Sequence, residues 1–170
     1  MTKRSSNPAD RQPFFPRRII SGGQTGVDRA GLELAIAHRI QHGGWCPKGR
    51  LSEDGSIPSR YDLVEMDTAE YPPRTEQNVI DSDATLILYE QRLKGGTLLT
   101  RRYAARWNKP CLSVAMEVTS PGEVRQWLDQ VQPETLNIAG PRESSVPGIG
   151  ERALAFLLEA FVDRSTEVSR

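Results

Sequence analysis

The chain has 170 residues, enough for one domain with a substantial core. Its 22 basic and 22 acidic residues cancel, which leaves no global field to draw in nucleic acid or a membrane surface. No apolar run is long enough for a spanning helix or a signal-peptide core, so a cytoplasmic protein with no membrane or nucleic-acid partner is expected.

Residues 1–16 carry Pro8, Pro13 and Pro16 among polar residues, with Lys3, Arg4 and Arg11 opposed only by Asp10. They read as a flexible tail unless Phe14 and Phe15 dock, ahead of a single ligand-binding domain over 17–163 and a C-terminal tail over 164–170. Arg17–Ser21 reads as a short strand, because Ile19 and Ile20 lead into a glycine turn made of Gly22, Gly23 and Gly26. A helix is predicted from about Val27 to Gln41. Such a junction leaves unpaired N–H groups and a partial positive charge at the helix start, and it seats an anion. Gln24, Thr25, Asp28 and Arg29 crowd polar groups into the same turn, although the spacing matches neither GxGxxG nor GxxxxGK[ST]. Ala30, Leu34 and Ala37 form one apolar stripe of this helix; Leu32, Ile36 and Ile40 form a second, nearly opposite, which calls for cover by another subunit, the tail or another helix.

Trp45-Cys46-Pro47 is the next strand candidate, followed by a turn-rich loop. Lys48 and Arg50 lie where that strand would end, either solvated or reaching an anion at the first loop. Cys46 and Cys111 have neither metal-site nor CxxC spacing, so they read as reduced thiols, Cys111 in the core, and no direct metal site is predicted. Tyr61–Met66 alternates weakly, as an edge strand does. Pro72 and Pro73 open a helix to about Ser82 that carries Arg74, Thr75 and Asn78 on one face, toward water or a ligand. ATLILY, residues 84–89, is the strongest strand, an apolar run suited to burial on both faces of a parallel sheet.

Gly95-Gly96-Thr97 then opens a helix to Trp107, a second strand–glycine–helix junction. CLSVA at 111–115 is another strand, and Ser120-Pro121-Gly122-Glu123 reads as a capping box before the core face Val124, Trp127, Leu128 and Val131. TLNIA at 135–139 is the last strand, and a loop with Arg142 and Ser144 leads to a closing helix whose core stripe is Leu154, Leu157, Leu158 and Phe161. Those two loop residues either contact phosphate or a ring edge, or simply join elements. Alternating strands and helices select an α/β three-layer sandwich, mostly parallel, with its ligand site at the carboxyl ends of the strands. If the first strand neighbours ATLILY, the loops at Gly22–Gly26 and Gly95–Thr97 line one crevice.

SGGQTGVDRAGLELA, GWCPKGR, ED-GSIP-RY, RTEQNVIDSDATLIL, GGT and AGPRES-VPGI, in that order from about Arg17 to Phe161, resemble the putative molybdenum cofactor carrier family. That family is similar to a Rossmann-like superfamily containing lysine-decarboxylase-like phosphoribohydrolases and nucleotide sensors. The resemblance implies a Rossmann-like fold, a homo-oligomer, and a phosphorylated pterin or nucleotide-like ligand, with molybdenum cofactor as cargo. On that reading the N–H groups of Gly23–Gly26 and Gly95–Thr97 hold the phosphate without covalent chemistry. Lys48, Arg50 and Arg74 neutralise it, and Thr75, Asn78 and Arg142 read the heterocycle's edge.

Two alternatives stay open: nucleotide N-glycosidic hydrolysis, and a sensor that binds without turnover. The hydrolase pattern PGGxGTxxE places a glutamate where this chain has Thr100 and Arg101, so no catalytic residue is assigned; Asp28, Glu90 and Glu143 are the candidate substitutes for that carboxylate.

Overall fold

The computed structural model describes residues 12–162; the tail residues before and after that range lie outside the description. Arg18–Ile20 forms β1, with Ile19 and Ile20 both buried. The helix that follows, α1, covers Val27–Ala37 and stops short of the expected Gln41, because Arg39 adopts φ 55° and turns the chain back. Gln41–Gly43 then runs as β2, a polar strand in residues assigned from sequence to the helix and its end.

Trp45–Cys46 is a strand as expected, β3, but it leaves the main sheet. Beyond the single turn Lys48–Arg50 comes a small hairpin of β4 (Leu51–Ser52) and β5 (Gly55–Ser56). Only Val64–Glu65 of the predicted edge strand is extended, as β6, paired in parallel with β3. The remaining elements follow the periodicity within a residue or two: α2 (Tyr71–Asp81), β7 (Ala84–Tyr89), α3 (Gly95–Arg106), β8 (Cys111–Ala115), α4 (Pro121–Val131), β9 (Thr135–Ala139) and α5 (Ile149–Ala160). The capping box of α4 forms, with the Glu123 carboxylate accepting the Ser120 N–H at 2.8 Å.

Five strands make a wholly parallel sheet in the order β2–β1–β9–β7–β8. The first strand therefore does not neighbour β7, because the last strand is inserted between them, with Ile19 opposite Leu136 and Leu86 opposite Ile138. Helices α1, α4 and α5 pack together on one face, and α2 and α3 pack together on the other. The chain winds outward from β1 through α1 to β2 and in the opposite sense from β7 through α3 to β8. The reversal falls at β9, and the loops after β1, β9 and β7 share one edge of the sheet.

The main core joins these strands to α1, α4 and α5 through side chains such as Leu34, Leu88, Leu128 and Leu157. Part of the second stripe on α1 is covered from within the chain: Leu32 is fully buried against Cys46, Ile57, Tyr61 and Leu63, while Ile36 stays exposed. The stripe of α5 is rotated from its expected place. Ala153, Phe156, Leu157 and Ala160 face inward, Leu158 faces out, and Phe161 is buried just past the helix end. On α3, Trp107 lies exposed at the helix end and donates from Nε1 to Glu76 at 2.9 Å, instead of joining Thr100 and Ala104 inside.

Phe14 and Phe15 do dock: the Phe14 N–H bonds Asp129, and the Phe15 ring packs against His38 and Phe161. Both cysteines are free, but Cys46 is the core thiol and Cys111 is only half-buried. No helix among the described residues is long and apolar enough to cross a membrane.

Candidate functional site

A cleft of about 840 Å³ opens at the carboxyl edge of the sheet, where the loops after β1, β9 and β7 meet α2. Its size is that of a site for a small organic ligand. Three strand–loop–helix junctions reach this edge, and the chain fills two of their helix ends itself. At α1, Val27 donates its N–H to the Pro141 carbonyl at 3.2 Å, and Asp28 places a carboxylate in the first turn. At α5, the Glu143 carboxylate accepts the N–H groups of Gly148 and Gly150.

The third end, that of α3, is open. Lys94 caps it without a side-chain bond, and Leu98 N–H closes the first turn onto Lys94. The N–H groups of Gly95, Gly96 and Thr97 therefore precede any intrahelical acceptor. A Cβ placed on Gly95 or Gly96 would meet nothing within 4 Å, and all three residues line the cleft. The arrangement points unpaired donors and the positive end of a helix dipole into the cleft.

The loop after β1 is arranged differently from the expected phosphate cradle, since three of its amides are spent internally. Gly23 N–H donates to the Ser21 hydroxyl, Gln24 N–H to Asp28 at 3.2 Å, and Thr25 N–H to the Gln24 side chain at 3.4 Å. Gly22 is bare because the Arg74 guanidinium lies where its Cβ would stand. Gly23, at φ +73°, turns its missing Cβ toward Leu63 and Ile57, away from any ligand. Gly26 abuts the Pro141–Glu143 backbone in the same way.

Arg74 crosses the sheet edge from α2 to pair with Asp28, Nη1 to Oδ2 3.1 Å, both side chains 9% exposed. Burial raises the Asp28 carboxyl above the ordinary carboxylate range, and the adjacent Arg74 charge opposes that rise without cancelling it.

Arg142, from the loop after β9, lies over the Tyr71 ring at 4.7 Å, with the Arg74 guanidinium carbon 5.5 Å from the same centroid. This cationic and aromatic group stands on the cleft wall with Thr75. Asn78 also borders the cleft, but its amide is spent holding β3, accepting Trp45 N–H at 2.8 Å and donating to the Trp45 carbonyl at 3.0 Å.

Six expected ligand residues, Gly23, Thr25, Gly26, Lys48, Arg50 and Ser144, do not border the cleft. Lys48 is exposed and does not border the cleft, and the Arg50 guanidinium gathers the carbonyls of Ile57, Pro58, Tyr61 and Leu63, clamping its own loop. Thr25 and Ser144 both donate hydroxyls to Glu53, on the hairpin, and with Gly26 they border a separate open groove between α1 and α5. Glu53 thus ties together the loops after β1 and β9, and the Gln24 side-chain oxygen accepts its N–H at 2.9 Å. These donors hold the Glu53 carboxyl below its ordinary range even against the opposing effect of desolvation.

Sequence reasoning passed over Tyr71, Gln91, Arg92, Lys94, Asn137 and Ser145 as ligand residues, all of which border the cleft. A tyrosine just ahead of Pro72 at a helix start was the one local signal available for any of them.

Parallel strands in this order, with a polar cleft over the reversal of winding, define a Rossmann-like α/β protein. The chain belongs to the circularly permutated YpsA SLOG family, whose sequence pattern matches residues 19–161. It is similar to the crystal structure of the "putative molybdenum carrier protein" from Syntrophus aciditrophicus SB, with 43% sequence identity and a TM-score of 0.85 over 91% of this chain and 99% of that one. None of the curated proteins matches the chain.

Proposed function

We propose that the cleft binds a phosphate-bearing pterin or nucleotide-like ligand without covalent chemistry, and that the protein carries molybdenum cofactor as its cargo. The observation that carries this reading is the open end of α3: of the three helix starts around the cleft, it is the one that no described residue fills. A phosphomonoester there accepts from the Gly95–Thr97 amides, with Lys94 adding positive charge beside them. Tyr71 and Arg142 supply a flat polar wall for a ring, and the name of the Syntrophus relative supports a molybdenum-bearing pterin as that ring. Native mass spectrometry of protein isolated anaerobically from cells that make the cofactor tests this. The expected result is a bound phosphorylated pterin; a protein that stays unliganded when incubated with purified molybdopterin overturns it.

The hydrolase reading retains one supporting observation, since the Asp28 carboxyl borders the cleft with its proton affinity raised by burial. Glu90 borders it too but is held by Arg152 at 2.6 Å, and Glu143 caps α5. Carriage predicts no free base after prolonged incubation with nucleoside monophosphates. Sustained release of base, seen by chromatography, selects the hydrolase instead.

A further inference from the structure

Two residues that border the cleft each bury a donor that has no acceptor among the described residues: Nε2 of Gln24, a residue 3% exposed, and Nε of Arg74, a residue 7% exposed. Neither donor was claimed by the phosphate site at α3. A buried donor without an acceptor carries its full desolvation cost, so folded proteins keep few of them and tend to keep them where a ligand completes the bond.

The Gln24 amide cannot escape by turning over. Its Oε1 already accepts from Glu53 N–H and Thr25 N–H, and reversal would set N–H groups against N–H groups. The neighbouring acceptor is engaged as well, for Asp28 Oδ2 takes both the Gln24 N–H and Arg74 Nη1. That shared oxygen holds the two residues side by side. The wall therefore has hydrogens to give, while Asp28 Oδ2, the acceptor that holds both residues, is already in use.

We propose that Gln24 and Arg74 form a donor subsite that reads the acceptor edge of an oxo-heterocycle, a carbonyl oxygen with a ring nitrogen next to it. This rests on the phosphate-ligand reading above and assigns the ring class that goes with it. Guanine and fully oxidised pterin rings present such an edge, a carbonyl oxygen beside an unprotonated ring nitrogen. Adenine carries an amino group in place of the carbonyl and would oppose donor to donor. Selection falls on the ring, while the α3 end holds a phosphate common to either.

Isothermal titration of the full chain with GMP, IMP and AMP separates these contributions, because the three share the phosphate and ribose. GMP and IMP are expected to bind the wild type about tenfold or more tightly than AMP, the discrimination a matched edge gives. Gln24→Glu keeps the oxygen that Glu53 and Thr25 use and replaces the donor; Arg74→Lys keeps a cation beside Asp28 and removes Nε–H. Each is expected to lose the preference while still binding nucleotide. Equal affinities in the wild type, or a preference intact in both variants, overturn the subsite and leave the phosphate site standing. Absence of binding by all three nucleotides overturns the subsite, while the carrier reading answers separately to the molybdopterin incubation above. Should either variant fail to fold, the wild-type comparison alone decides.

Discussion

Replacing Arg74 with methionine is the most informative perturbation of the cleft's framework. The pair it breaks is short, 3.1 Å, and nearly dry, with each side chain 9% exposed. At an effective dielectric constant of about 20, two unit charges at that separation attract by about 5 kcal/mol. Desolvation offsets much of this in the intact pair, but the variant leaves the Asp28 carboxylate buried with the Gln24 N–H as its bonded donor and only the more distant Arg142 charge to oppose its own. Losing one member of a buried pair costs about 3–5 kcal/mol, against a total stability of about 5–15 kcal/mol. Equilibrium urea unfolding at pH 7 should show the midpoint fall by about 2 M for a typical slope.

The penalty should also depend on pH with a definite sign. Burial already raises the folded-state pKa of Asp28 above its unfolded value, and removing Arg74 raises it further. A raised carboxyl contributes stability that is fully present below its unfolded pKa and is lost as pH rises through the folded pKa. The variant should therefore sit closer to wild type at pH 5 than at pH 8. Adding Asp28→Asn should recover part of the loss at pH 8, since no buried charge is then left alone. A midpoint unchanged at pH 7, or a deficit that does not shrink toward acid, refutes the reasoning.

The two glycine loops should respond in opposite ways. Gly23→Val places a side chain at φ +73° against Leu63 and should destabilise by about 2–4 kcal/mol in thermal or urea unfolding, from backbone strain and overpacking together. Gly96→Val meets open space and should melt with the wild type within about 0.5 kcal/mol, as a surface substitution does. Ser120→Ala removes half of the α4 capping box and should cost about 1 kcal/mol, measured by the same unfolding curves.

Much of the fold was legible because it is written in local patterns. ATLILY forms the buried central strand, and the Ser120–Glu123 box starts α4 where the spacing places it. Gln41–Gly43 was not legible, since three polar residues on a sheet edge have no apolar periodicity to reveal them. The insertion of β9 between β1 and β7 depends on pairings more than fifty residues apart in sequence, which no window can show.

At the site, the two glycine junctions read alike in sequence, as two halves of one cradle, but the second is an open helix end and the first has a different use. Three of its amides are consumed by Ser21, Asp28 and Gln24, and whether an N–H is free depends on partners that only folding brings near. Arg50 shows the same limit from the side-chain end, for a basic loop residue looks alike in sequence whether it binds an anion or four carbonyls of its own chain.

The central claim is that the amides opening α3 hold the ligand's phosphate. Phosphorus NMR of GMP titrated with the protein tests it directly, comparing wild type with Gly96→Val. The phosphate resonance should shift and saturate with wild-type protein and stay at its free position with the folded variant; an identical shift with both would contradict the assignment.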